Sequence, residues 1–235
     1  MKILFKTGLM LALAAHFFLA ATGGYANSDD PYAGKYEVLA NPQPTSTTDK
    51  VEVIEFFWYG CPHCYYFSPF LETWKVTKKP DYVELIIMPT VWKNDAWAPS
   101  AKAFYTAKAL GVLEKIHTPL FRAIHYARGK RDLSFIKENA FQQFVAKYGV
   151  SQSDFRKKYH SFFVDTEVRH AKKMTKDYDI QGVPVIYVNG KYRLTANGYE
   201  EQIKVLNHLI EKERQNMGLS SQPTKEITSE ENTSK

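Results

Sequence analysis

The segment Glu55–Phe67, with the sequence EFFWYGCPHCYYF, contains the only two cysteines in a chain of 235 residues, Cys61 and Cys64. An apolar, β-prone run leads into this segment and a helix-compatible run follows, so Cys61 is expected at a strand-to-helix turn. Free N–H groups and the positive end of the helix dipole favour a thiolate at such a position. Pro62 suits the first helical position, because its missing N–H costs no hydrogen bond there.

Two other interpretations compete with a redox dithiol, namely a pair of buried apolar cysteines and half of a zinc site. A tetrahedral zinc site needs four ligands and usually a second Cys or His pair. The chain has no third cysteine, and its later histidines show no such spacing: His117, His125, His160, His170 and His208. A Cys-x-x-Cys pair in this layout therefore favours a redox dithiol, with no metal and no cofactor.

The composition allows a sizeable core and gives no sign of nucleic-acid binding. Hydrophobic residues make up 44% of the chain, and the formal net charge is +6. The basic residues are scattered and interleaved with acidic ones, as on a solvated surface, and form no basic patch. One disulfide cannot hold together a core of this size, so stability is not the main role of the cysteines.

The first 26 residues have the pattern of a secretory signal peptide. Lys2 and Lys6 precede an apolar run, and a small-x-small sequence ends at Ala26, where cleavage is expected. The alternative is an uncleaved anchor, which the shortness of the apolar run and His16 disfavour. An exported chain would reach an oxidising compartment, where a dithiol can exist as a disulfide.

Hydrophobic periodicity predicts a βαβ unit around the cysteines and helices after it. The unit comprises a strand at Val51–Trp58, a helix from about Cys61 to Lys78 and a strand at Tyr82–Met88. The four helical segments that follow are Trp97–Leu110, Leu113–Ala127, Leu133–Lys147 and Ser153–Tyr178, the last of them broken.

Strands return near the C-terminus, at Val185–Val188 and Lys191–Leu194. They are joined by Asn189-Gly190, a strong hairpin signal, and a helix follows at about Glu200–Glu213. An interrupted sheet with Cys-x-x-Cys after its first strand predicts an α/β, thioredoxin-like fold with an inserted all-helical domain.

The expected organisation has six parts. They are a signal peptide (1–26), an extended lead-in (27–50), the first part of a thioredoxin-like domain (51–92), a helical insertion (93–179), the second part of that domain (180–215) and a disordered tail (216–235).

Three motifs give the chain a family resemblance: CPHCY at Cys61–Tyr65, GVPV at Gly182–Val185 and VNGKY at Val188–Tyr192. Together with Glu55-Phe56-Phe57, they resemble the DsbA family, the periplasmic thiol:disulfide oxidases of Gram-negative bacteria. CPHC is much more specific than a bare Cys-x-x-Cys, because general reductases of this fold carry Gly-Pro between the cysteines.

The resemblance implies a role for each matching residue. Cys61 would be the attacking cysteine and Cys64 the resolving one, and the two would form the transferable disulfide. Val183 and Pro184, joined by a cis bond, would line the substrate groove.

The resemblance also implies the biological setting. The protein would act in the periplasm and donate its disulfide to unfolded, exported proteins that contain cysteine, and a quinone-linked membrane oxidase of the DsbB kind would reoxidise it. A monomer is the simpler expectation. One alternative is an isomerase or reductase kept reduced, but residues 27–50 are too few for the N-terminal dimerisation domain typical of such relatives. Another is a chaperone-like peptide-binding module.

Two further residues are candidates for tuning the dithiol. His63 is expected to stabilise the Cys61 thiolate electrostatically, although an exposed helix residue is the alternative. Glu55 is expected to be a partly buried acid that shuttles protons at Cys64, although a strand-edge carboxylate reaching water is possible. The family pattern has another acid after the motif and a lysine in the second strand. Both are missing here, so the cluster of charged residues that the family has beneath the dithiol should be reduced to Glu55.

Overall fold

Residues Val51–Phe57 form an interior strand of the sheet, and the cysteines follow it directly. The computed structural model describes residues 30–92, 95–126 and 129–220. The expected signal peptide (1–26) lies outside the described residues, as do residues 221–235 of the expected tail (216–235), while Asn216 still belongs to the last helix. The chain divides into two units, Met1–Ala33 and Gly34–Lys235, and every helix and strand given below belongs to the second.

Five strands are present among the described residues. Along the sheet they lie in the order β1 (Tyr36–Val38), β5 (Tyr192–Leu194), β4 (Val185–Val188), β2 (Val51–Phe57) and β3 (Val83–Pro89). The β2–β3 pair is parallel, and the other pairs are antiparallel. The sheet is therefore mixed, and β2 has a neighbour on both sides.

In the sequence, helices lie both before and after the hairpin of β4 and β5. They are α1 (Pro62–Thr77), α2 (Ala98–Ala109), α3 (Leu113–Tyr126), a short 3₁₀ helix (Leu133–Ile136), α4 (Glu138–Ala146), α5 (Gln152–Tyr159), α6 (Phe162–Asp177) and α7 (Tyr199–Asn216). Helix α1 contacts α3 and α7, and α7 also contacts β2, β4 and β5. The segment from α2 to α6 is helical wherever it forms regular structure, as the sequence predicts. The thioredoxin-like fold with a helical insertion is confirmed.

Most element boundaries agree with the sequence analysis to within a few residues, and two details differ. The segment Leu133–Lys147 is split, because the backbone of Lys137 is extended (φ −78°, ψ 146°) between the 3₁₀ helix and α4. The lead-in contains a three-residue strand, β1, that was not predicted. The hairpin turn is as expected, since Asn189 (φ 52°) and Gly190 (φ 63°) both have positive φ.

An aromatic cluster fastens the end of β2 to the helical insertion. The ring centroid of Phe57 lies 5.1 Å from that of Tyr59, 5.5 Å from that of Phe104 and 5.8 Å from that of Phe121. Such pairs each contribute about 0.5–1.5 kcal/mol beyond the burial of their area. The carboxyl end of β2, where the cysteine motif begins, is thus held by the insertion.

A buried carboxylate holds the hairpin to the last helix. Glu213 of α7 has no exposed surface and accepts hydrogen bonds from Asn189 Nδ2 (2.5 Å), Lys191 Nζ (2.7 Å) and Tyr192 OH (3.3 Å). Burial alone would raise the pKa of this carboxyl, but the hydrogen bonds from Lys191, Asn189 and Asn216 outweigh it and hold the pKa below its ordinary value.

In the part of the chain that the structure describes, no helix is both long and apolar enough to cross a bilayer.

Replacing Glu213 by Gln should lower the free energy of unfolding by about 2 kcal/mol at pH 7, because hydrogen bonds to a charged acceptor are lost. A carboxyl whose pKa is depressed in the folded state stabilises it above the unfolded pKa of about 4.3, and this contribution disappears as the pH falls. The difference between wild type and variant, measured by urea unfolding, should therefore shrink below about pH 4. Glu200→Gln, an exposed site on the same helix, is the control and should change stability by a few tenths of a kcal/mol. Equal effects of the two substitutions would contradict the role of this network.

Candidate active site

Cys61 occupies the N-cap of α1, as the motif predicts. Its backbone is extended (φ −87°, ψ 119°), Pro62 follows at the first helical position, and its sulfur accepts a hydrogen bond from the Cys64 N–H at 3.4 Å. Both cysteines are free thiols and both are buried, Cys61 with 8% of its surface exposed and Cys64 with 1%. Cys61 is therefore the sulfur that an attacking thiol can reach.

The environment separates the two thiols in acidity. A hydrogen bond from the Cys64 thiol is the main cause that lowers the pKa of Cys61 to about 6; burial opposes it, and the backbone N–H groups of Cys64 and His63 add to it. For Cys64 the main cause is burial, which raises the pKa of this thiol well above its usual value. The hydrogen bond to Cys61 and the charges of Cys61 and Glu55 raise it further. At neutral pH the reduced pair carries one thiolate, on Cys61.

Glu55 lies inside the protein. It pairs with Ile87 of β3 and with Ile186 of β4, and only 4% of its surface is exposed. Burial raises its pKa to about 8, with further contributions from the charges of Glu72 and Cys61. The alternative of a strand-edge carboxylate reaching water is excluded by this position, and the side chain is a neutral acid at pH 7.

His63 is exposed on the first turn of α1, and its Nδ1 atom lies 3.4 Å from the Tyr199 hydroxyl. Its charge contributes to the low pKa of Cys61, but it is the smallest of the causes that act on that thiol. The electrostatic effect of His63 on Cys61 is thus smaller than that of the hydrogen bonds to the sulfur.

The Val183–Pro184 segment lies beside the dithiol. The peptide bond between these residues is cis, as the resemblance implies, and the Cys61 sulfur lies 3.3 Å from the Val183 carbonyl oxygen, to which it donates a hydrogen bond when it is protonated. Every site residue that the sequence analysis selected is therefore within the same region of the fold, although the chain separates Cys61 from Val183 by 122 positions.

The turn before Cys61 is enclosed by aromatic rings. Trp58 is stacked on Trp97 with 4.1 Å between ring centroids, and Tyr59 is fully buried. A Cβ atom on Gly60 would lie 2.5 Å from the Trp58 ring, so only glycine fits there without moving the indole. Tyr59 therefore belongs to the core.

Two residues near the dithiol were missed by sequence reasoning. Glu72 raises the pKa of Glu55, so the expectation that Glu55 would be the sole charge in this region is wrong. Its signal was its position two helical turns after Cys64 on α1. Tyr199 contacts His63 from 136 positions away, and nothing in the local sequence marks it.

Among residues 30–92, 95–126 and 129–220, no cluster of three or more His, Cys, Asp or Glu side chains has an arrangement that could hold a metal ion.

Comparison with known proteins places this geometry in a family. The model of the DSBA-like thioredoxin domain matches residues 88–210. The thiol:disulfide interchange protein DsbA of Burkholderia cepacia is 41% identical over 216 residues, which cover 89% of this chain and 96% of the relative. The chain belongs to the DsbA family. The DsbA of Pseudomonas aeruginosa is 40% identical over 209 residues, covering 87% of this chain and 94% of the relative.

A crystal structure of Pseudomonas aeruginosa DsbA is similar to this structure, with a TM-score of 0.71 and 36% identity over 78% of this chain and 94% of that one. The protein is thus an enzyme, a thiol:disulfide oxidoreductase of the periplasmic DsbA type, and neither alternative, the isomerase or reductase nor the chaperone module, is favoured. Members of the DsbA family act in general on substrate proteins and with DsbB.

Replacing Cys64 by Ala should raise the pKa of Cys61 from about 6 toward the ordinary thiol value near 8.5, because the thiol donor that most lowers it is removed. Thiolate absorbance at 240 nm, followed against pH in the reduced protein, measures this directly. The Cys61→Ser protein is the control and should show no thiolate titration near pH 6, because burial raises the pKa of the remaining Cys64 thiol. A Cys64→Ala protein that still titrates near pH 6 would show that the helix N-terminus suffices alone.

Proposed function

We propose that this protein is a dithiol oxidase, which donates the disulfide between Cys61 and Cys64 to exported, folding proteins through a mixed disulfide. The observation that carries the proposal is the unequal acidity of the two thiols, with Cys61 ionised at neutral pH and Cys64 protonated. Stabilising one thiolate in the reduced state makes the reduced state easier to reach, and that is the property of an oxidant.

The size of this effect follows from the pKa of Cys61, which is about 6. At pH 7 its ionisation stabilises the reduced form by about 1.4 kcal/mol relative to an ordinary thiol. For a two-electron couple this corresponds to about 30 mV. The thiolate stabilises the reduced state above about pH 6, and this contribution is lost as the pH falls through that value.

The electron and proton balance assigns roles to three residues. A client thiolate forms a bond to Cys61 Sγ, the Cys61–Cys64 bond breaks, and the electron pair leaves on Cys64, which takes up a proton because its pKa is high. We assign the donation of this proton to Glu55, whose pKa of about 8 keeps it protonated at pH 7. A second client thiolate then attacks the client sulfur, and Cys61 leaves as a thiolate. The client loses two electrons and the protein gains them.

We further propose that clients bind as extended segments beside Val183. The Val183 carbonyl lies 3.3 Å from the Cys61 sulfur, so a strand added at this backbone would bring its cysteine to Cys61. Pro184 would line the same groove.

We place this reaction in the periplasm, after removal of the signal peptide near Ala26. The clients would be unfolded exported proteins that contain cysteine. A DsbB-like, quinone-linked membrane oxidase would restore the disulfide, and the protein would act as a monomer.

The direction of disulfide transfer is tested by equilibrating the mature chain, from Asn27, with glutathione buffers between pH 5 and pH 8. The reduction potential at pH 7 should be more oxidising than that of the glutathione pool, about −220 to −260 mV. Its slope should change near pH 6, from about 60 mV per pH unit below to about 30 mV above, because Cys61 stops taking up a proton on reduction. A potential near that of thioredoxin, about −270 mV, would contradict the oxidase assignment.

Replacing Glu55 by Gln should slow the oxidation of a reduced dithiol peptide by about tenfold to a hundredfold at pH 6, because the internal proton donor is removed. The ratio of wild-type to variant rate, from stopped-flow tryptophan fluorescence, should fall as the pH rises through about 8, where Glu55 ionises.

The matched control for this variant is Glu52→Gln. Glu52 is buried in the same strand, with 1% of its surface exposed, but its carboxylate binds Ser46. The proton-donor role would be refuted by an equal rate loss in Glu52→Gln, or by a wild-type to variant ratio that does not depend on pH.

A further inference from the structure

The helical insertion donates two hydrogen bonds to consecutive carbonyl groups directly before Cys61. His125 Nε2, at the end of α3, lies 2.9 Å from the Tyr59 carbonyl oxygen. Arg131 Nη1, in the connection that follows α3, donates to the Gly60 carbonyl oxygen at 3.0 Å. The two donors come from one region of the insertion and hold adjacent peptide groups.

The direction of the His125 hydrogen bond is fixed by chemistry. A carbonyl oxygen only accepts, so Nε2 carries the hydrogen. Burial and the charge of Arg131 lower the pKa of His125 and outweigh its bond to the carbonyl, so a neutral ring makes this contact at pH 7. The ring is also stacked on Tyr65 of α1, with 5.2 Å between centroids and 23° between planes.

The side chain and N–H of Tyr59 are held by the same insertion. Its N–H donates to Ser100 Oγ at 3.2 Å, and its hydroxyl lies 2.8 Å from His117 Nδ1. Burial raises the pKa of Tyr59 and lowers that of His117 to about 4, so the hydroxyl is the donor and the imidazole the acceptor. With its N–H, carbonyl and hydroxyl all bonded to the insertion, Tyr59 cannot rotate without breaking several contacts.

Arg131 also fixes the ring beside the turn. Its guanidinium carbon lies 5.7 Å from the centroid of the Trp58 ring, in a cation–π contact. The backbone then closes the turn, since the Cys61 N–H donates to the Trp58 carbonyl at 2.9 Å. These contacts set the direction in which the chain enters α1, and therefore where the Cys61 sulfur lies over the N–H of Cys64.

We propose that His125 and Arg131 are positioning residues for the Cys61 thiolate, and that the helical insertion thereby tunes the redox equilibrium of the dithiol. They act through the Tyr59 and Gly60 carbonyls, whose partly negative oxygens they bind. Released from these donors, the peptide groups would be free to turn, and the alignment of Cys61 Sγ with the donors of α1 would be lost. The stability of the reduced state depends on that alignment more than the stability of the disulfide state does, because only the thiolate needs those donors.

The inference rests on the proposed function for its biological meaning, but its test is separate. Arg131→Met and His125→Phe keep much of the volume, and the second keeps a ring against Tyr65, while each loses the donor. Each should raise the pKa of Cys61 and lower the equilibrium constant for oxidation of glutathione by the protein about three- to tenfold; tenfold corresponds to about 30 mV.

Two further variants make the comparison specific. Arg131→Lys keeps a positive charge and a donor and should lie closer to wild type than Arg131→Met. The matched control is Arg122→Met on α3, since Arg122 is exposed and, in the described part of the chain, makes no hydrogen bond to residues 58–61. This control should leave both the pKa of Cys61 and the equilibrium constant unchanged.

The melting temperatures of the oxidised and reduced proteins separate positioning from a purely structural role. Positioning requires that Arg131→Met and His125→Phe lower the melting temperature of the reduced form more than that of the oxidised form. Equal losses in both forms, with an unchanged pKa and equilibrium constant, would overturn the inference. The inference would also be overturned if Arg122→Met changed the pKa and the equilibrium constant as much as the two test variants do. The same holds if Arg131→Lys had as large an effect as Arg131→Met. The wild-type constant alone tests the oxidase direction, so either proposal can fail without the other.

Discussion

The hydrogen bonds that converge on the Cys61 sulfur at the start of α1 are the interaction on which the rest of the site depends. They oppose the cost of burying a charge, and they make Cys61 the acidic member of a pair whose other member is more deeply buried. An isolated thiolate of this kind would be expensive in a protein interior. The fold provides the donors in a fixed direction, because the helix begins at the cysteine and the strand before it is paired with a strand on each side.

That fixed direction is maintained by parts of the chain that are distant in sequence. Strand β4 pairs with β2 along one edge, and the Val183 carbonyl contacts the Cys61 sulfur. The insertion donates hydrogen bonds to the turn that precedes Cys61. Packing of aromatic rings around Phe57 joins the sheet to the insertion. The helical segment is thus part of the frame around the dithiol, in addition to any surface that it offers to clients.

Local sequence signals predict the fold well and the long-range contacts poorly. The cysteine pair, Pro62 and the Asn189-Gly190 turn each specify a local backbone geometry, and those features are found where expected. Glu55 shows the limit of a local rule. Every residue of β2 is buried, which means that both faces of the sheet are covered there, so alternation along the strand carries no information on exposure.

The missed features have a common physical origin. A strand of three residues such as β1 is too short to show an alternation of apolar and polar residues. Its strand conformation depends on its pairing with β5, which is distant in sequence. Glu72 lay on a recognisable helix face, but its effect on Glu55 depends on how α1 packs over the sheet. The contacts of Tyr199, His125 and Arg131 join distant segments, and no pattern within one segment encodes them.

The order of strands in the sheet has a consequence for the newly made chain. A polypeptide emerges from its N-terminus, so the two cysteines appear well before the hairpin that flanks β2 and well before Val183. Until that last portion is present, β2 has an open edge and the sulfur has no backbone neighbour from the second half of the fold. The growing chain therefore carries two cysteines outside their folded environment, and these could themselves be oxidised as a substrate. The chain can act as an oxidoreductase only when its final strands and helix have joined the sheet.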